Sequence, residues 1–178
     1  MAQIGFEKKR IVITGGPCTG KTTTIQKLKE MGYPIVPEAA AILIDQQIKS
    51  KGNVLPWIDL YQFNVKVTEL QKELESLNKN AALVFLDRSF IDNLAYCKIG
   101  NIEPPENLLE STNSAKYNKI FFLEKLDKWE DTEIRRDGKQ SEKINQAIFE
   151  AYKEEGYKPT RVPPFSVEER VEFILKNI

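Results

Sequence analysis

The sequence contains no histidine, which removes Ser-His-Asp and Cys-His catalysis, histidine-ligated zinc and a histidine general base. Any proton acceptor at a reaction centre must therefore be a carboxylate. Cysteine occurs only at Cys18 and Cys97, too sparsely for a disulfide framework and with no pair at metal-ligand spacing. A reducing, cytoplasmic setting is the expectation. Long apolar runs are also missing. After the basic residues Lys8 to Arg10, only Ile11, Val12 and Ile13 come before Thr14 and the glycines, so neither a signal peptide nor a membrane span is expected. Charge of one sign is not in excess either: 26 Lys and Arg balance 26 Asp and Glu without a long like-charge block. Composition thus points to neither nucleic acid nor an anionic membrane as a partner.

What remains is an ordinary globular composition. At 178 residues, with 41% hydrophobic and 29% charged residues, one core suffices, and a single domain over residues 1–178 is expected. Short apolar runs alternate with longer amphipathic stretches, the pattern of an α/β fold with a parallel sheet. Five strands are predicted: Arg10 to Thr14, Tyr33 to Val36, Ala82 to Asp87, Lys119 to Leu123 and Tyr157 to Val162. A helix is predicted from Lys21 to Met31, stopped by Gly32. From Pro56 onward, Phe63, Val67, Leu70, Leu74 and Leu77 recur at spacings of four and three, one apolar face of a long helix. Further helices are predicted at Ser89 to Cys97, around Gly138 to Glu155, and at Val167 to Asn177. Gln47 to Pro56 and Lys125 to Gln140 read as irregular and mobile, the second as a lid near residues 125–140.

Between the first strand and the first helix lies Gly15-Gly16-Pro17-Cys18-Thr19-Gly20-Lys21-Thr22, which matches G-x-x-x-x-G-K-[ST] at every fixed position. A chance match in a chain of this length is roughly a one-in-a-hundred event, and the strand before and helix after it are the context the motif requires. Glycines let the backbone curl so that successive N–H groups point at phosphate oxygens, while the helix sets its positive end at the same place. Gly15, Gly16, Pro17, Cys18, Thr19, Gly20, Lys21, Thr22 and Thr23 are accordingly read as the nucleotide-binding set. Within it Lys21 faces the β- and γ-phosphates and Thr22 offers a hydroxyl to Mg2+. Asp87 closes the run Leu83-Val84-Phe85-Leu86, which suits a second Mg2+ contact at a strand exit. Arg88 beside it is placed to clamp an anionic acceptor. Glu38, after Val36-Pro37, stands at another strand exit as a candidate base. Arg135 and Arg136 are candidates to close over the phosphates as arginine fingers do. Trp57, Tyr61 and Gln62 are candidates to meet a base or sugar.

These residues resemble a known family. Val12 through Thr24, the Pro37-Glu38-Ala39-Ala40 turn, and Asp87-Arg88-Ser89 with Asp92 and Ala95-Tyr96 are similar to the NadR-like AAA-type P-loop domains, which include ribosylnicotinamide kinase domains. Val36-Pro37-Glu38 also resembles the Pro-Glu turn of deoxynucleoside kinases, whose glutamate is the base, and Asp87-Arg88-Ser89 resembles their Glu-Arg-Ser. Thymidylate kinases carry a similar stretch, in which the arginine holds the acceptor phosphate. The resemblance implies a P-loop NTPase three-layer sandwich, with a five-stranded parallel sheet of order 2-3-1-4-5 and a lid that carries arginines. It also implies ATP as donor, Mg2+ as cofactor and a small nucleoside- or nucleotide-like acceptor. Asp87 stands where the deoxynucleoside kinases have glutamate and Asp92-Asn93 where they have serines, so the acceptor does not carry over. Glu124-Lys125-Leu126-Asp127 resembles the guanine-reading Asn-Lys-x-Asp of GTPases, with glutamate in place of asparagine. A slow ATPase or GTPase, or a nucleotide-dependent switch that binds a macromolecular partner, is the alternative to a kinase.

Overall fold

The computed structural model describes residues 8–126 and 141–178. Its strands are β1 (Lys9–Thr14), β2 (Ile35–Val36), β3 (Leu83–Asp87), β4 (Lys119–Leu123) and β5 (Thr160–Val162). All pair in parallel in the order β2-β3-β1-β4-β5. The central strands are almost wholly apolar because both of their faces are covered. On one face Ile11, Ile13, Phe85, Phe121 and Leu123 pack against Ile25 and Leu28 of α1 (Lys21–Glu30) and Val171 and Ile174 of α7 (Val167–Lys176). On the other face Val12, Val84, Leu86, Ile120 and Phe122 pack against α4 (Phe90–Ile99) and α6 (Ser141–Glu154). Alternate residues of each strand thus feed separate cores in a three-layer sandwich. Ile174 is fully buried on α7; its truncation to alanine is expected to lower stability by about 2–5 kcal/mol, read as a fall in melting temperature.

Three sequence expectations need correction. The second and fifth strands are shorter than predicted. Tyr33 N–H turns back to Leu28 O at 3.2 Å after Gly32, and Tyr157 N–H to Tyr152 O at 2.9 Å after Gly156, so both residues finish helices instead of opening strands. Gln47 to Pro56 is not irregular throughout, since α2 (Ala39–Ser50) runs through its first four residues and buries Ala39 and Leu43. Leu77 does not extend the apolar face of α3 (Leu60–Leu77): it is 80% exposed, while Gln71 and Glu75 occupy the buried row after Phe63 and Val67. Glu75 is held there by an ion pair with Arg10. Burial nevertheless pushes its pKa upward against that partner.

A further helix, α5 (Glu106–Ser114), was not visible in the sequence. It buries Leu108 together with Ser111 and Thr112, whose hydroxyls bond back to carbonyls four residues earlier, so apolar periodicity does not mark it. Register brings Ile13 of β1 beside Asp87 of β3, and Arg88 N–H donates to Ile13 O at 3.1 Å. The carboxyl ends of β1 and β3 therefore open side by side, where open α/β sheets form their crevice.

Candidate functional site

The loop Gly15–Gly20 leaves β1 in a conformation few residues tolerate. Gly15 has φ 139° and Gly20 φ 77°, and a Cβ on Gly15 would lie 2.6 Å from Leu123 O. Cys18 is also left-handed, at φ 61°, a strain of the kind found at functional sites. Four of the loop's carbonyls, those of Gly15, Gly16, Thr19 and Gly20, are taken up by the protein itself. Arg88 Nη1 reaches Gly15 O at 3.4 Å, and Lys21 Nζ and Thr19 Oγ1 reach Gly16 O at 2.6 and 3.0 Å. Thr19 O accepts from Arg170. Gly20 O accepts from the Thr23 and Thr24 hydroxyls, each at 2.9 Å. In contrast, among the described residues nothing accepts from the N–H groups of Cys18, Thr19, Gly20, Lys21 and Thr22. With carbonyls tied back and amides left over at a helix N-terminus, the loop can wrap an anion.

Lys21 is buried. Burial and the nearby Arg88 push its pKa down to about 7, against the pull of Glu38, Asp87 and Asp92. Asp87 is buried beside it, and burial followed by Glu38 pushes its carboxyl up to about 6. Its Oδ1 has no hydrogen-bond partner among the described residues. An orphaned buried carboxylate oxygen beside Lys21, together with the exposed Thr22 that follows it on α1, fits a hard cation that takes one or two protein oxygens and completes its shell from phosphate and water.

Arg88 is the hub of the second half of the site. Burial opposes its charge, but Tyr96, Glu38, Asp92 and Asp87 outweigh burial and raise its pKa well above the ordinary value. Its Nε donates to Glu38 Oε1 at 3.0 Å and its Nη1 to Asp92 Oδ1 at 3.1 Å, with its guanidinium 5.7 Å from the Tyr96 ring centre. Asp92 is fully buried and fixed from every side. It accepts from Thr14 Oγ1 at 2.5 Å, Ser89 N–H at 2.9 Å and Tyr152 OH at 2.6 Å. Arg88 adopts φ 70° within this frame, so its backbone strain is borne by a network joining β1, α4 and α6.

The structure therefore brings Lys21, Glu38, Asp87 and Arg88 to the loop together with Gly15–Thr23. Trp57 and Tyr61 sit exposed, at 65% and 44%, at the start of α3, and Gln62 N–H is used by the Asp59 cap. Arg135, Arg136 and Asp127 lie outside the described residues, as do residues 127–140 of the lid read near 125–140. The Glu124 carboxylate pairs with Arg161 at 3.2 Å. Three residues that hold the site in place were missed in the sequence. Asn145 Oδ1 accepts from Gly16 N–H at 2.8 Å, Tyr152 holds Asp92, and Arg170 holds Thr19. Arg170 left a trace: it stands four residues before Ile174, on the buried stripe of α7, where an arginine calls for a reason.

A parallel sheet of this order with a glycine-rich loop between β1 and α1 defines a P-loop nucleotide-binding fold. Residues 10–170 match the family described as an AAA domain, and the chain belongs to that family. No curated protein matches it in sequence. Among solved structures, NadR in complex with NR superposes with a TM-score of 0.68 at 14% identity, over 95% of this chain and 49% of that one. The chain thus spans about half the length of NadR. Deoxyadenosine kinase from M. mycoides, with its product dCMP bound, gives 0.65 at 16% identity over 94% and 97% of the two chains. Thymidylate kinase from Ehrlichia chaffeensis gives 0.69 at 12% identity over 96% and 98%. At such identities the likeness is one of fold. No described helix is long and apolar enough to cross a membrane.

Proposed function

We propose that the protein is a small-molecule kinase that moves the γ-phosphoryl group of ATP to a nucleoside- or nucleotide-like acceptor. The observation that carries this reading is the pairing of two sites at one crevice. One is a loop whose carbonyls are tied back and whose amides are left for phosphate; the other is the Glu38–Arg88 pair 3.0 Å apart at the adjacent strand exits. In this reading Lys21 and the loop amides hold the β- and γ-phosphates. Thr22 and Asp87 would hold Mg2+, which supplies charge to offset that of the phosphates. Arg88 positions the acceptor. Where the acceptor is a hydroxyl, its oxygen forms the new bond to the γ-phosphorus as the bond to the ADP oxygen breaks, and the proton passes to the Glu38 carboxylate. Arg135 and Arg136 are proposed to close over the transferred group.

Asp87 is followed by Arg88 and Ser89, without the adjacent glutamate that polarises water in motor ATPases, which speaks against a motor. The test is release of ADP from ATP and Mg2+ with a panel of nucleosides, nucleotides and ribosylnicotinamide. One acceptor class should raise ADP release well above the rate without acceptor; a rate independent of every acceptor would exclude the kinase and leave the slow NTPase.

The lowered pKa of Lys21 makes binding pH-dependent. Near about pH 8 a lysine with pKa about 7 is mostly neutral, and a bound triphosphate restores its charge, so binding should take up close to one proton. Below about pH 6 Lys21 is already charged. Asp87, at about 6, must instead lose a proton to meet a cation, so the sign should reverse. Titration calorimetry in buffers of different ionisation enthalpy reads this directly. Heats that do not depend on the buffer near pH 8 would contradict it.

A further inference from the structure

Arg170 is 1% exposed on α7 and is the largest fully buried side chain among the described residues. An arginine so buried ordinarily has a carboxylate partner. Here its hydrogen bonds go to backbone carbonyls: Nη1 donates to Thr19 O, Nη2 to Glu124 O at 3.2 Å and Nε to Pro163 O at 3.2 Å. The carboxylate that acts on it, Glu124, is paired with Arg161 instead. Its three acceptors belong to three separate segments, the loop after β1 and the exits of β4 and β5. Only a planar fork with donors spread in different directions can hold all three at once.

The grip on Thr19 has a directional consequence. The peptide bonds of the described chain are trans, and in a trans peptide the carbonyl and the following N–H point opposite ways. Holding Thr19 O toward α7 therefore turns Gly20 N–H away from α7. The fit is close as well: a Cβ on Gly20 would lie 2.9 Å from Arg170 Nη1. We propose that Arg170 is the positioning residue of the phosphate loop, fixing the Thr19–Gly20 peptide so that Gly20 N–H is presented to polyphosphate and lending the loop a buried positive charge from behind. This rests on the reading of the loop as a polyphosphate site.

The test measures binding of magnesium pyrophosphate by calorimetry to the wild type, Arg170→Gln, Arg170→Lys and Ile174→Ala, with a melting temperature for each. Ile174→Ala weakens the same helix without touching the loop. Arg170→Gln should lose roughly ten- to hundredfold in affinity, the scale of a charged hydrogen bond. Arg170→Lys should recover part of that loss, because it restores the charge but not the three-way grip. Ile174→Ala should melt earlier yet bind as the wild type does. The proposal is overturned if Arg170→Lys binds as tightly as the wild type, or if Ile174→Ala loses as much affinity as the arginine variants. Should Arg170→Gln not fold, the comparison of Arg170→Lys with Ile174→Ala decides alone. A wild type that does not bind pyrophosphate would overturn the polyphosphate reading itself, which a bound wild type with indifferent Arg170 variants would leave standing.

Discussion

Lys21→Ala is expected to weaken binding of the magnesium triphosphate by about 2–5 kcal/mol, at least roughly thirtyfold in affinity, the scale on which one partner of a buried charge pair is lost. Lys21 is buried with its ammonium 2.6 Å from Gly16 O, at the loop itself. The same substitution should not lower stability. The folded pKa of about 7 lies below the ordinary 10.5, so the fold disfavours the charged ammonium. That penalty is fully present below the folded pKa and vanishes above the ordinary one. Removing the amine near neutral pH therefore relieves the fold, as expected where a binding site is held at the expense of stability. A variant that binds triphosphate as well as the wild type would remove Lys21 from the site, and a melting temperature far below the wild type's would contradict the electrostatic account.

Glu38→Gln is expected to lower turnover by roughly a hundredfold or more, the usual scale for a lost general base, while leaving nucleotide affinity nearly unchanged. Glutamine keeps an oxygen to accept from Arg88 Nε, now bonded to Glu38 Oε1 at 3.0 Å, so Arg88 should keep its place. What the variant loses is the ability to take a proton. The comparison is made with single-turnover rates at saturating ATP for whichever acceptor the panel identifies. Equal rates would exclude Glu38 as the base, and a loss confined to acceptor affinity would assign it to acceptor binding alone.

Legibility in the sequence followed the range of the interactions. The loop was readable because its backbone demands glycine and its ligand chemistry lysine and threonine at fixed spacing, all within eight residues from Gly15 to Thr22. Asp87 and Glu38 were readable because each ends an apolar run, and in a parallel sheet such ends share one edge. The grip on the loop from behind was not. Asn145 reaches Gly16 across 129 residues and Arg170 reaches Thr19 across 151, and nothing local marks either as a partner. Likewise α2 and α5 escaped notice: one runs its last four residues into the stretch that reads as irregular, and the other buries Ser111 and Thr112 where an apolar face would be sought. Leu77 misled in the opposite way. Its spacing continues the stripe of α3, but the helix ends there with Glu75 drawn inward by Arg10.

The central claim is that the amides of Cys18 to Thr22, freed by a loop whose carbonyls are held by Arg88, Lys21 and Arg170, form a cradle for polyphosphate. Titration of the purified protein with ATP and with GTP in magnesium buffer, followed by calorimetry, tests it most directly. Saturable heat at one nucleotide per chain is the expected result, with affinity at least roughly thirtyfold weaker in Lys21→Ala. No heat of association with either nucleotide at millimolar concentration would contradict it.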